Sequence, residues 1–495
     1  MPNEAGLSNL DHERTPLLAQ AARGTAVDST RSPGVLLDEE AGLTSTSHEN
    51  NRAPSICDTC SSSVAGVISL LLVGVFVANS EGSLVVASFG HIASEFNDLE
   101  NGSWLLTSYV LAMAVAQPMY GKLSNIFGHA RMLLVAYTFF GVGCAMGQSL
   151  LVVVAGRVVS GLGGADMGSL MSIMITDLVP VRDVGVWRSY VGVVATVGRA
   201  SGGPIGGYLT DTIGWRWSFL GQCSPTVLSI LLTWLLVPNR VGPSTDESML
   251  TKLSRIDFIG SLLLGSGILA FLLPLELAGT SLSWTHPLNY LLFIASGALG
   301  AVYFLVEAYW AKEPIMSPSM LLSWDVFMSN TIMFCQVAAQ LGMMSTVPLY
   351  FQVTQNTSAT VAGAHLLPAV AGVTVGGLLG GWSGRYFGLL VFATICSSSC
   401  HLLLMLRWGT AIKPWEALYI IPGGFGNGLI LSTAFVALTA RISKEDMAMA
   451  CSGFYLTYDT ATAVGMATTS AVLQGVLKSG LPTELRDYPQ KDAVC

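Results

Sequence analysis

Charge is scarce in this chain of 495 residues. Only 11% are Asp, Glu, Lys or Arg, where a soluble domain carries about 25%. That deficit excludes an ordinary water-facing surface. There is no block of basic residues, so charge gives no reason to expect a nucleic-acid partner. The formal net charge is −8, with the acids gathered in tails and loops. Cysteine is sparse too: nine residues, most of them inside apolar stretches, as at Cys144, Cys223, Cys335, Cys396, Cys400 and Cys451. They read as small buried hydrophobes and not as a disulfide framework. Cys57 and Cys60 form a CxxC, but no second ligand pair follows to complete a metal site, so no metal is expected. No nucleophile–base cluster and no phosphate-cradling loop is legible, so an enzyme is not expected.

What the chain does have is apolar residues, 52% of the total, and 53 glycines, a residue frequent in membrane helices. A helix needs about 20 apolar residues to cross a bilayer. Thirteen stretches qualify, at 64–87, 104–121, 131–148, 150–176, 187–209, 217–237, 256–277, 288–310, 329–352, 361–382, 388–406, 415–438 and 450–476. The chain therefore reads as an all-α polytopic membrane protein, with the lipid bilayer as its first partner. Residues 1–63 are polar and read as a disordered cytosolic tail without a cleavable signal. Within it, Glu13-Arg14-Thr15-Pro16-Leu17-Leu18 resembles an acidic dileucine sorting signal. Glu13, Leu17 and Leu18 would then be read by a clathrin adaptor; the plain alternative is two leucines in a floppy tail.

Basic residues orient membrane proteins because they concentrate in cytosolic loops. With residue 1 in the cytosol, loops on that side hold Lys122, Arg131, Arg182, Arg188, Arg240, Lys252, Arg255, Lys312, Arg385, Arg441 and Lys444; the opposite loops hold Arg216, Arg407 and Lys413. The sequons Asn101-Gly102-Ser103 and Asn356-Thr357-Ser358 then fall on the non-cytosolic side, where glycosylation of Asn101 and Asn356 would occur.

Charges at membrane depth are costly and mark functional candidates. Glu81, in ANSEGSLVVAS of the first span, is the foremost. One reading has it face a central cavity and bind a proton or a cationic substrate in turn; the other makes it a structural hydrogen-bonding residue. Arg157 is the second intramembrane charge, either an aid to proton coupling or a structural ion-pair partner, for example of Asp166. Arg199 must also find a partner, and Glu81 is one possibility. Asp459 in the last span is flanked by Tyr455 and Tyr458, which can donate to a carboxylate or stack on a cation; alternatively it faces water.

The loops GKLSNIFGHAR (121–131) and GGWSGRYFG (380–388) place Gly, Ser and a basic residue in matching turns of two halves, the pattern of a parallel-repeat transporter with its site between the halves. The first loop resembles motif A of the major facilitator superfamily: Gly121, Leu123, Ser124 and Gly128 match, Arg131 follows, Asn125 stands for the usual aspartate and His129 for the usual arginine. AGRVVSGLGG (155–164) resembles motif B, with Arg157, and GGPIGGYL (202–209) resembles the antiporter motif C, with Gly203, Pro204, Gly206 and Gly207. GWRWSF (214–219) is similar to a segment of drug:proton antiporters with fourteen helices. Span 1, HIASEFNDLENGSW after it and span 2 resemble fungal vacuolar basic amino acid transporters.

The resemblance covers about residues 64–478 and implies two six-helix bundles, at 64–237 and 329–478, joined by a linker at 238–328 that carries two extra membrane helices. Residues 479–495 form a short polar tail. No apolar segment follows Leu481, so the last helix of the resembled group is expected to be missing. The implied function is a proton-coupled antiporter carrying lysine, histidine and arginine into the vacuole, with the proton gradient as driving force and no other cofactor. The alternatives are a plasma-membrane multidrug or toxin exporter and a degenerate, non-transporting member, the latter fed by Asn125, Arg199 and the absent span.

Overall fold

The computed structural model describes residues 58–98, 101–141, 147–236, 248–277, 284–310, 313–316, 323–356, 359–383, 387–408, 414–440, 442 and 446–484. Within them the chain is helical, with no strand. Thirteen long helices follow one another: α1 (Asp58–Glu95), α2 (Trp104–Phe127), α3 (His129–Gly141), α4 (Leu150–Leu178), α5 (Val181–Thr212), α6 (Trp215–Leu236), α7 (Phe258–Leu277), α8 (Pro287–Tyr309), α9 (Trp324–Gln355), α10 (Leu367–Ser383), α11 (Phe387–Arg407), α12 (Ile421–Thr439) and α13 (Met447–Glu484).

Nine stretches among the described residues are long and apolar enough to cross a membrane. α2, α5 and α13 are long but fall short in hydropathy. Their polar residues are the ones that meet between the two halves, described below.

Helix contacts follow small residues. α5 lies on α1 through Gly198, Gly202 and Gly206, one turn apart, against the carbonyls of Phe76, Ser80 and Leu84; a Cβ at Gly198 or Gly206 would sit 2.8 Å from Phe76 O or Leu84 O. Such small-residue stripes let backbones approach where lipid offers no hydrophobic drive. α1–α6 pack together as one half and α9–α13 as the other. α12 is the most enclosed candidate span, 72% buried, and α8 the least, 11%. α7 and α8 join each other through Phe271 and Phe293 (5.9 Å between centroids) and through a bond from Ser296 Oγ to Gly267 O of 2.9 Å. They lean on the joint of the halves: Leu272 packs with Leu111 and Ala114 of α2 and Ala463 of α13.

The halves close on each other at the end that carries the motif A loop. A Cβ at Gly185 of α5 would sit 2.7 Å from Gly381 O of α10. Ser189 Oγ donates to Gly377 O at 2.8 Å. Gly121, near the end of α2, faces Ala448 and Ser452 at the start of α13.

Candidate functional site

Glu81 is 2% exposed and Arg157 1%, and they form an ion pair. Arg157 Nε also donates to Leu105 O at 2.9 Å, and its guanidinium lies 4.3 Å from the Tyr109 ring centroid. The other carboxylate oxygen, Glu81 Oε2, has no hydrogen-bond partner. It borders a small cavity with Ser160, Gln222, Cys223 and Thr226. All these groups sit on α1, α2, α4 and α6, so the pair is sealed inside the first half. Glu81 therefore does not face a central cavity in this conformation. Arg157 takes Glu81 as its carboxylate. The side chain of Asp166 lies outside those described.

Arg199 does not pair with Glu81 either. Its Nη1 donates to Asn79 Oδ1 of α1 at 3.2 Å and to Tyr458 OH of α13 at 3.4 Å, and its side chain is exposed. It thus spans the two halves. Asp459, next to Tyr458, lies beside the Gln117 side chain of α2 and within electrostatic reach of Arg199. Arg199, Asp459, Tyr458, Asn79 and Gln117 form a polar cluster where α1, α2, α5 and α13 converge.

Tyr455 lies elsewhere, in the closed end. Its hydroxyl shares a hydrogen bond of 2.7 Å with Ser172 Oγ of α4. The Arg188 guanidinium stacks 5.2 Å from its ring centroid and 5.0 Å from that of Phe435. Arg188 is 9% exposed, and its Nε has no partner. It belongs to α5 and not to a loop, because that helix begins at Val181.

Around motif A, Gly128 caps α2 with φ 95°, a conformation natural to glycine. His129 Nε2 lies 3.3 Å from Asp177. Burial holds the His129 imidazole below its usual value, against the pull of Asp177. Asn125 is half-buried and Arg131 exposed. Lys122 reaches Glu313 at 2.8 Å, as does Arg255 Nε. Of the motif C residues, Gly206 meets α1, while Gly203 and Gly207 have no close neighbour and Pro204 is exposed.

Asn101 and Asn356 are both exposed. Asn101 Nδ2 donates to Asp98 at 2.8 Å, and Asn356 ends α9 in the left-handed conformation. Glu13, Leu17 and Leu18 lie outside the described residues, as do the side chains of Cys57 and Cys60.

Sequence reasoning missed Arg188, Gln117, Gly198 and Glu313 as contributors. Gly198 carries a readable signal, glycine every fourth residue with Gly202 and Gly206 of motif C. Gln117 was legible as an amide at mid-span.

Residues 70–466 match the family described as Major Facilitator Superfamily. The chain is 31% identical over 423 residues to a vacuolar membrane amino acid uptake transporter of Schizosaccharomyces pombe, covering 84% of this chain and 73% of that protein. It is 29% identical over 450 residues to a multidrug resistance protein of the same yeast, covering 86% and 82%. It is 27% identical over 456 residues to vacuolar basic amino acid transporter 1 of Saccharomyces cerevisiae, covering 84% and 79%. Among solved structures, a proton:xylose symporter superposes with a TM-score of 0.56 at 15% identity, over 85% of this chain and 90% of that one. This likeness establishes the fold.

Proposed function

Because the chain belongs to the major facilitator superfamily and is a membrane transporter rather than an enzyme, we propose that it exchanges protons for lysine, histidine and arginine across the vacuolar membrane. The observation that carries this reading is Asp459, an acid at the joint of the halves, beside Gln117 and within electrostatic reach of Arg199, which itself bonds α1 and α13. A carboxylate there is placed to meet a cationic side chain, and rocking of the halves would carry that cation from one side to the other. Two relatives whose names specify vacuolar amino acid transport support it. Glu81, enclosed with Arg157 in one half, is the candidate proton carrier; the cation falls to Asp459 instead.

The halves touch at the motif A end, which the positive-inside pattern assigns to the cytosol, and in this reading that contact closes the site from the cytosolic side. The dileucine at Leu17 and Leu18, read by a clathrin adaptor, would deliver the chain to the vacuole. The test is uptake of labelled lysine, histidine and arginine by vacuolar vesicles, with and without a proton gradient. Gradient-dependent uptake supports the reading; its absence in a well-expressed chain overturns it. A second reading, a plasma-membrane multidrug:proton exporter, is favoured by the likeness to the multidrug resistance protein. A tagged chain found at the cell surface, conferring drug resistance, would select it.

A further inference from the structure

We propose that Arg199 holds the carboxylate of the substrate, so that with Asp459 the site reads both ends of an amino acid and discriminates against cations that lack a carboxylate. This rests on the amino acid reading above.

Arg157, Arg216, Arg255 and Arg407 each have a carboxylate within salt-bridge distance. Arg199 has none among the described residues. Its two hydrogen bonds both leave from Nη1, both are long, and both end on neutral acceptors, Asn79 and Tyr458. A guanidinium offers five N–H donors in a planar fork that matches a carboxylate two-to-two. The Nε and Nη2 donors of Arg199 are thus left for a ligand, on a side chain exposed between the halves.

A cation at membrane depth is retained only where it meets water, a partner or a substrate. Asp459 is near enough to feel Arg199 but does not form a salt bridge with it, so the two charges remain separate. One fixed cation and one fixed anion, held apart on α5 and α13, complement a molecule with an anionic and a cationic end. They do not complement a lipophilic drug cation, which Arg199 would repel. The partners of Arg199 on α1 and α13 belong to different halves, so a carboxylate arriving at the guanidinium also bears on the contact that must change as the halves rock.

The test compares lysine with cadaverine, which is lysine without its carboxylate, in vacuolar vesicles of the full chain. In the wild type, unlabelled lysine should compete with labelled lysine, and cadaverine should compete poorly. Arg199→Gln should raise the lysine KM about tenfold to a hundredfold, the worth of a charge-assisted bond, and leave cadaverine competition equal or better. Arg199→Lys, which keeps the charge but not the fork, should recover part of the loss. Asp459→Asn should weaken both compounds. Equal competition by cadaverine in the wild type overturns the inference without any variant, as does an unchanged lysine KM in Arg199→Gln. Both outcomes leave the transport reading intact. A wild-type chain that takes up no basic amino acid sinks that reading and this inference together.

Discussion

Arg157 and Arg199 both carry charge into the apolar part of the molecule, and they are accommodated in opposite ways. Arg157 is 1% exposed, has its carboxylate, a carbonyl and a ring around it, and draws every partner from the first half. Arg199 is exposed, has neutral partners, and draws them from both halves. A contact made within one half survives a rocking motion; a contact made across the halves must be remade with each cycle. The difference teaches that depth in the membrane does not by itself define a charge's role. Which elements supply its partners does.

The largest effect should come from breaking the enclosed pair. Glu81→Gln leaves Arg157 buried without its counter-charge, a change that costs about 3–5 kcal/mol. Arg157→Gln should cost a similar amount. The double substitution removes both charges and should recover part of the loss, so that denaturation of the purified chain in detergent shows a strong coupling in the cycle. Arg199→Gln, by contrast, should cost less than about 1 kcal/mol, since its side chain is solvated and its bonds are long. A double variant no more stable than the singles would contradict the ion-pair account, and a severe loss at Arg199 would erase the distinction between the two sites.

A second contrast sets two glycines of α10 against each other. A Cβ at Gly376 would collide with Phe425 O, inside the second half, while one at Gly381 would collide with Gly185 and Ser189 across the halves. Overpacking of this kind costs about 1–3 kcal/mol. Gly376→Ala should spend it on stability. Gly381→Ala should spend it on prising open the closed end, where Cys451 is fully buried. With the other cysteines replaced, thiol labelling of Cys451 should rise in Gly381→Ala and stay at the wild-type rate in Gly376→Ala. Equal labelling in both would mean that this contact does not govern the closure.

Much of the fold was legible in the sequence, because the bilayer demands long apolar runs and the thirteen runs became thirteen long helices. The depth of Glu81, Arg157, Arg199 and Asp459 was legible for the same reason. Their facing was not. In a soluble helix an apolar stripe marks the inside; in a membrane helix lipid and neighbour are equally apolar, and the stripe fades. The pairing of Arg199 with Glu81 was a reasonable expectation from depth alone, and it fails because Glu81 turns to Arg157 of α4, while Arg199 meets α1 at Asn79 and reaches Tyr458 of α13. Arg188 was hidden differently: as a basic residue near a helix start it counted as a loop cation, yet the helix begins seven positions earlier and carries it into the closed end.

The smallest effect lies outside the membrane-spanning segments, at Glu313, where the chain flanking α7 and α8 is tied to the end of α2. Its carboxylate bridges Lys122 and Arg255. Burial alone would push that carboxyl up, but the bonds from Lys122 and Arg255 outweigh it and hold it below its usual value. A carboxylate depressed on folding contributes stability that is fully present above its unfolded value, about 4.3, and is lost as pH falls through the lower folded value. At neutral pH Glu313→Gln should therefore destabilise the chain, by no more than about 1 kcal/mol because the group is one-third exposed and screened by salt. The gap in melting temperature between wild type and variant should shrink as pH is lowered from 5 towards 3, roughly across the interval between those two values, and should shrink with added salt at pH 7. Glu313 supplies an acid to Lys122 from beyond α8. A gap that persists unchanged through acid and salt would show that packing, not this charge bridge, fastens α7 and α8 to α2.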